Sequence, residues 1–531
     1  MNIKYLRIML LVVVLTALYG STSVHAGTSM PKIFGDNMVL QRDIPVPVWG
    51  TAIKGEEIKV SFNGQVKVAV AGQDGKWMVK LDAMEANTKG EELVVNASNT
   101  ITFKNVVVGE VWLCSGQSNM TFPLSDSLTG NEVIKNSDED NIRIFNVKTL
   151  LSTVAADDVT PANTWAKASP NTIRSFSAVG YFFAKRLQKE LNVTVGLIGS
   201  NWGGTRIEPW TPPAGFRNIP ELKAISDKVD GWLPSTPQGK LNYSKAFDNI
   251  EKWLPEARSA FAVGNRIPEM PSLPGPLANN SSEPTAIYNG MIHGLIPYAI
   301  RGAIWYQGEA NVNDGVSYLY KMQALIHGWR SVWSQGDFPF YFVQIANYGP
   351  CQENPNAYPG WANLREGQRR ALEIENTGMA VVIDIGNPKD IHPKNKIDVG
   401  ERLALWALAK TYRKSDIVFS GPIYKTHKIE GNKVIISFDN VGKGLMVGLK
   451  KDIDPTLEVK DGKLGRFSIS DKNKKWFWAD ASIVGDTVVV SSDKVTEPMN
   501  VRYAYQDSPD GANLYNKNGL PASPFTTEIL K

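Results

Sequence analysis

Cysteine is almost absent. The 531 residues hold two, Cys114 and Cys351, too few for a disulfide framework and without the paired spacing of a structural zinc site, so the fold must rest on its apolar core. Histidine is scarce as well: of five, His25 lies in a leader-like start, which leaves His293, His327, His392 and His427 for histidine chemistry. An excess of charge of one sign is missing too. The formal net charge of +4 drops to +2 once Lys4 and Arg7 are set aside with the first 26 residues, and basic and acidic residues are interspersed. No patch that would track phosphates is present, which argues against a nucleic-acid partner. No apolar run reaches the ~20 residues of a membrane-spanning helix. The apolar stretch 8–18, behind Lys4 and Arg7 and ahead of Val24-His25-Ala26, has the layout of a cleaved secretory signal over 1–26. The mature chain is then expected to be secreted or periplasmic, without a membrane span.

What is abundant is apolar residues (43%), with 45 Gly, 31 Pro and 15 Trp, a globular composition leaning toward strands and turns, with length for roughly three domains. Residues 27–108 read as an N-terminal β-sandwich-like domain. Segments 58–62 and 65–71 alternate around Asn63-Gly64, and 77–81 follows Asp74-Gly75, both turn dipeptides of tight hairpins. From 109 to 413 short apolar runs (111–113, 193–198, 303–305, 340–345, 380–385) alternate with helical stretches (177–191, 319–329, 400–412), the pattern of a three-layer α/β domain on a parallel sheet. A Pro-rich insertion near 212–284 interrupts it, with helices expected near 221–229 and 244–262. Residues 414–531 return to a β pattern and form the expected C-terminal β-domain.

In an open parallel sheet, chemistry collects in loops at the carboxyl ends of strands. Four such loops stand out. After 111–113 comes Cys114-Ser115-Gly116-Gln117-Ser118-Asn119-Met120, which can present the Ser118 hydroxyl at a helix N-terminus or simply cap that helix. After 193–198, Gly203-Gly204 permits either a close backbone approach to a ligand or a plain tight turn. After 303–305, Tyr306-Gln307-Gly308-Glu309-Ala310-Asn311 offers an amide donor in Asn311 or a capped helix start. After 380–385, Asp390-Ile391-His392-Pro393 places a histidine near a carboxylate, as a general base needs. Together the loops supply a nucleophile, oxyanion donors and a base.

In these blocks the chain resembles the sialate O-acetylesterase family of the SGNH (GDSL-like) hydrolases. Gly116-Gln117-Ser118-Asn119-Met120 matches the nucleophile block, Trp202-Gly203-Gly204-Thr205 the glycine block, Trp305-Tyr306-Gln307-Gly308-Glu309-Ala310-Asn311 the asparagine block and Ile391-His392-Pro393 the histidine block. The start Phe34-Gly35-Asp36-Asn37-Met38-Val39-Leu40-Gln41 and the close Asn518-Gly519-Leu520-Pro521-Ala522-Ser523-Pro524-Phe525 are similar too. The resemblance implies a three-layer SGNH-hydrolase core, a Ser118 nucleophile, a His392 base, and oxyanion donors from the Ser118 and Gly203 N–H groups and Asn311. It implies no metal and no cofactor. Lys389 stands three residues before His392, where the wider superfamily has its acid; the third triad member is then Asp390, Asp384 or Glu309, or the pair works as a dyad. Gln117, Arg206, Gln307 and Glu309 are expected near substrate, although Arg206 can instead pair with Glu208 or Glu309. The implied function is a secreted serine esterase that removes acetyl groups from sialic acid. The alternatives are an acetylxylan or other hemicellulose acetylesterase, a non-catalytic carbohydrate-binding protein, and a peptidase or lipase using the same groups. The sequence leaves the oligomeric state open.

Overall fold

The computed structural model describes residues 27–277 and 279–530; the expected secretory signal over 1–26 lies outside the described residues. At the centre are seven strands of an 11-stranded sheet, numbered here in chain order: β1 (Thr100–Gly116), β2 (Glu139–Val147), β3 (Pro161–Ala168), β4 (Val195–Asn201), β5 (Gly302–Tyr306), β6 (Phe340–Val343) and β7 (Thr377–Ala380). Their spatial order is β7-β6-β5-β1-β4-β2-β3. All neighbours from β7 to β2 run parallel, and β3 closes the edge antiparallel to β2. The sheet is therefore mixed, where the sequence suggested a purely parallel one. β2 and β3 escaped the sequence reading because charged and small residues interrupt their apolar alternation; Pro161 is tolerated at the first position of an edge strand.

Among the described residues five helices exceed ten residues: α1 (Ala178–Leu191), α2 (Pro237–Ala262), α3 (Tyr318–Trp333), α4 (Gly360–Arg370) and α5 (Lys396–Trp406). The period-2 geometry of β1 sends Val111 and Leu113 to one face, with Tyr318, Met322 and Trp329 of α3 and Leu364 of α4, and Trp112 and Cys114 to the other, with Phe183 of α1 and Leu403 of α5. Helices thus cover both faces of the sheet. α1 shows how locally the sequence sets its limits: the Ser177 side chain accepts from Gly180 N–H at the start, and Asn192 takes a left-handed conformation (φ +52°) at the end.

β1 joins the core to the N-terminal β region. Its first residues pair antiparallel with Asn87–Asn96, Val107–Gly109 pair parallel with Val39–Gln41, and Glu110–Gly116 pair with β4. One strand therefore runs unbroken through position 108, where the sequence suggested a boundary. Glu57–Phe62 and Gln65–Val70 form the expected hairpin, with Asn63 and Gly64 both at positive φ. The expected strand 380–385 ends at Ala380, and 381–385 continue as irregular chain toward the histidine block. In the insertion, α2 buries only Gly239, Ala246 and Ala257. The C-terminal region forms antiparallel sheets such as Ile423–Glu430, Lys433–Asp439, Thr487–Ser491 and Asp480–Val484. It is tied to the core by the fully buried Arg365, which donates to the carbonyls of Ile345, Ala346, Gln506 and Asp507. Cys114 and Cys351 are both free thiols.

Candidate active site

The site is assembled at the carboxyl ends of β1, β4 and β5. β1 ends at Gly116, whose φ of +137° favours glycine; a Cβ there would also collide with the Tyr306 carbonyl of neighbouring β5. Gln117 N–H donates to that carbonyl (3.0 Å), Trp202 N–H donates to Gly116 O (3.0 Å), and the chain turns into the short helix Ser118–Thr121. Ser118 thus stands at a helix start beside the loop that follows β4. In that loop Gly203 lies over the serine: a Cβ placed on it would be 3.4 Å from Ser118 Cβ and 3.9 Å from Ser118 N. Among the described residues neither the Ser118 nor the Gly203 N–H has a backbone acceptor.

His392 arrives from the loop beyond β7. Its Nε2 is 2.8 Å from Ser118 Oγ, so residues 274 positions apart share a hydrogen bond. The candidate acids sit differently from expectation. Asp390 approaches His392 Nδ1 no closer than 3.9 Å, and its Oδ1 instead accepts the backbone N–H of His392 (2.9 Å). The two-residue spacing is the reason: it folds the carboxylate back onto the chain rather than under the ring. Asp384 is held bidentately by Arg402 (2.6 and 2.7 Å). Glu309 Oε1 accepts from Asn119 Nδ2 (2.5 Å). No candidate carboxylate hydrogen-bonds the ring.

Asn311 is also placed differently from the oxyanion expectation. It is fully buried, both of its Nδ2 contacts are carboxylates, Glu208 Oε2 (3.1 Å) and Asp314 Oδ2 (2.6 Å), and its Oδ1 accepts from Ile207 N–H and Gln307. Two acidic acceptors take the N–H groups that an oxyanion would need. Gln307, equally buried, lies beneath the site; its Nε2 reaches Gln117 Oε1 (3.1 Å), the Thr205 carbonyl (3.1 Å) and Asn311 (2.8 Å). Gln117 Oε1 accepts from Gln307 and from Ala310 N–H (3.2 Å), which fixes its carboxamide beside Ser118.

Arg206 is enclosed by acids: it donates to Glu208 (3.0 Å), to both oxygens of Asp314 (3.0 Å each) and to the Ala310 carbonyl (3.2 Å). Lys321 completes the cluster at 2.6 Å from Glu208 and 2.7 Å from Asp314. Two cations thus face two carboxylates. Burial alone would raise the Glu208 carboxyl, but Lys321 and Arg206 outweigh it and hold the group at about 2.

The opposite neighbour of the serine leads into a second cluster. Asn119 Nδ2 donates to Glu309 and to the Ile391 carbonyl (3.0 Å), while Asn119 Oδ1 accepts from the fully buried Lys396 (2.5 Å). Burial pushes Lys396 down to about 7, against the pull of Glu309 and Asp390, and burial raises Glu309, whose Oε2 has no partner among the described residues. His392 lies below its ordinary value, first through burial and then through Lys396, with Asp390 opposing. Sequence reasoning missed Asp314, Lys321 and Lys396. A signal existed for Lys396: a cation at the first position of a helix, four residues past His392, opposes the helix dipole. Among the described residues no group of three or more His, Cys, Asp or Glu could hold a metal ion.

Comparison with known proteins agrees with these blocks. The family model for carbohydrate esterases described as sialic acid-specific acetylesterase matches residues 108–228 and 279–409, with all of α2 in the gap between the two matched stretches. The chain is 27% identical to sialate O-acetylesterase of Mus musculus over 550 residues, covering 96% of each protein. It is 26% identical to the Homo sapiens enzyme of the same name over 553 residues, 96% of this chain and 95% of that one. A crystal structure described as a novel carbohydrate acetylesterase from Xanthomonas citri superposes with a TM-score of 0.76 at 34% identity, over 95% of this chain and 100% of that one. The chain belongs to the carbohydrate esterase family of sialic acid-specific acetylesterases.

Proposed function

We propose that this chain is an O-acetylesterase of carbohydrates acting through a serine acyl-enzyme on an SGNH-type core. The observation that carries the reading is the 2.8 Å contact between Ser118 Oγ and His392 Nε2 at the mouth of the strand ends. His392 takes the hydroxyl proton as Ser118 Oγ attacks the acetyl carbonyl carbon. The charge that gathers on the carbonyl oxygen is met by the N–H groups of Ser118 and Gly203. In place of Asn311, the third donor is the Gln117 amide nitrogen, the end of that side chain that has no acceptor among the described residues while its oxygen is fixed. The imidazolium then protonates the sugar oxygen as the C–O bond breaks, leaving acetyl-Ser118. Water, deprotonated by His392, attacks the acyl carbon, and collapse releases acetate and restores the serine.

Asp390 acts through the backbone of His392, so the reacting unit is a dyad. Acetyl esters of sialic acid are the substrates that the family description and the mammalian relatives' name favour. A second reading, acetylated neutral polysaccharides such as xylan or xyloglucan, is favoured by Arg206: the cation best placed for a sialate carboxylate is already shared by Glu208 and Asp314. Export by the leader over 1–26, to the periplasm or beyond, fits either substrate. The test is acetate release from O-acetylated sialic acid and from acetylated xylan oligosaccharides in parallel, with the wild-type chain and Ser118→Ala. Preference for the neutral substrate selects the second reading. Release that persists in the variant removes Ser118 from the mechanism, and no release from either moves the weight to a binding protein or another acyl group.

A further inference from the structure

The ring of His392 stands at hydrogen-bonding distance from Ser118 although no carboxylate holds its far side. Two staples, both running to α5, fix the loop that carries it. At the near end Asp384 is gripped by Arg402 of α5. At the far end Lys396, the first residue of α5, is fully buried and donates to Asn119 Oδ1 (2.5 Å), with the rings of Phe122 and Tyr306 at 4.7 and 5.3 Å from its ammonium. Asn119 is the next residue after the serine, and it donates to the carbonyl of Ile391, the residue before the histidine. One carboxamide therefore ties the nucleophile turn to the histidine loop, and Lys396 orients that carboxamide. A lysine at this position is costly to folding, because burial disfavours its charge and a helix N-terminus repels it. Stability alone gives no reason for it.

We infer that Lys396 is a positioning residue: through Asn119 it sets where His392 stands against Ser118, and it keeps a positive charge beside the imidazole where a triad would keep a negative one. This rests on the proposed roles of Ser118 and His392. The charged and titratable groups around the imidazole are Ser118 from the nucleophile turn, Asp390 from the same loop and Lys396 from α5, with Glu309 and Tyr306 beyond Asn119 from the end of β5 and its following turn. Lys396 disfavours the imidazolium and Asp390 favours it. Because the base must be neutral to act, kcat/KM rises with pH through the titration of His392, below the usual 6.5. Lys396 is held at about 7, so it carries its proton where that limb begins.

The experiment is the pH profile of acetate release by wild type, Lys396→Met and the double variant Lys396→Met/Glu309→Gln, with circular dichroism on each to establish folding and Ser118→Ala as the control. The double variant removes both buried charges, so it tests the inference even where the single variant does not fold. The expected result is an ascending limb moved up by roughly half a pH unit or more, with kcat on the plateau lowered at least about tenfold and KM within about twofold. A folded variant whose limb coincides with that of wild type overturns the inference. A lower kcat with an unmoved limb also overturns it, since it would make Lys396 a packing residue. If Ser118→Ala retains activity, the proposed chemistry itself has failed, and that outcome is distinct from the other two.

Discussion

The two residues flanking the nucleophile lead into buried polar clusters of opposite character. On the Gln117 side, through Gln307 and Asn311, lie Arg206, Glu208, Asp314 and Lys321, in which each cation lies within 3.0 Å of both carboxylates. On the Asn119 side lie Glu309 and Lys396, bridged by one carboxamide, with a carboxylate oxygen left unpartnered. The first cluster is a closed set of charges that fastens the loop after β4 to α3. The second is open, its charges are easily shifted, and it adjoins the base. Complete pairing marks a framework, and incomplete pairing next to a reacting group marks a place where charge bears on chemistry.

The largest expected effect falls between the clusters. Ser118→Ala should lower kcat by at least ~10³-fold with the fold intact, measured as acetate release alongside circular dichroism. On the closed side, Gln117→Ala should lower kcat by ~10²-fold if its amide meets the oxyanion. Asn311→Ala should cost less turnover than Gln117→Ala and show chiefly as lost stability of about 1–3 kcal/mol, because Glu208, Asp314 and Gln307 lose partners. The reverse ranking would return Asn311 to the oxyanion site.

Glu208→Gln breaks the closed cluster itself. The folded carboxyl titrates near 2 against an ordinary 4.5, so its contribution is fully present above 4.5 and disappears as pH falls through about 2. Denaturant unfolding should therefore show a deficit of order 3 kcal/mol at neutral pH that shrinks on acidification. A deficit independent of pH would mean that the charge is not what stabilises.

The smallest effect is expected for Asp390→Asn. Removing the one group that favours the imidazolium should move the ascending limb of kcat/KM to lower pH, opposite to Lys396→Met, with kcat lowered less than about tenfold. A loss as large as that of Ser118→Ala would show that Asp390 reaches the ring during turnover.

Much of this was legible in the sequence, for identifiable reasons. The hairpin at Asn63-Gly64, the limits of α1 and the β1 and β5 runs follow from local turn chemistry and apolar period, which need no knowledge of distant residues. Ser118, Gly203 and His392 were legible because each follows a core strand inside a compact block. The pairing of Arg206 with Glu208 was open to sequence reasoning because the two are neighbours in the chain, whereas the carboxylates around Asn311 and the arrival of Asp314 and Lys321 depend on the fold. Lys396 was passed over because burial is invisible in a stretch with lysines at 389, 394 and 396. β2 and the edge strand β3 lack the regular alternation that identifies a strand. The substrate side of the site, which depends on which groups remain unpaired after folding, is the part least written into any single segment.

The most direct measurement of the central claim is acetate release from an O-acetylated carbohydrate by the wild-type chain and by folded Ser118→Ala. A serine acyl-enzyme requires release by the first and a loss of at least ~10³-fold in the second. Equal rates from the two would contradict it.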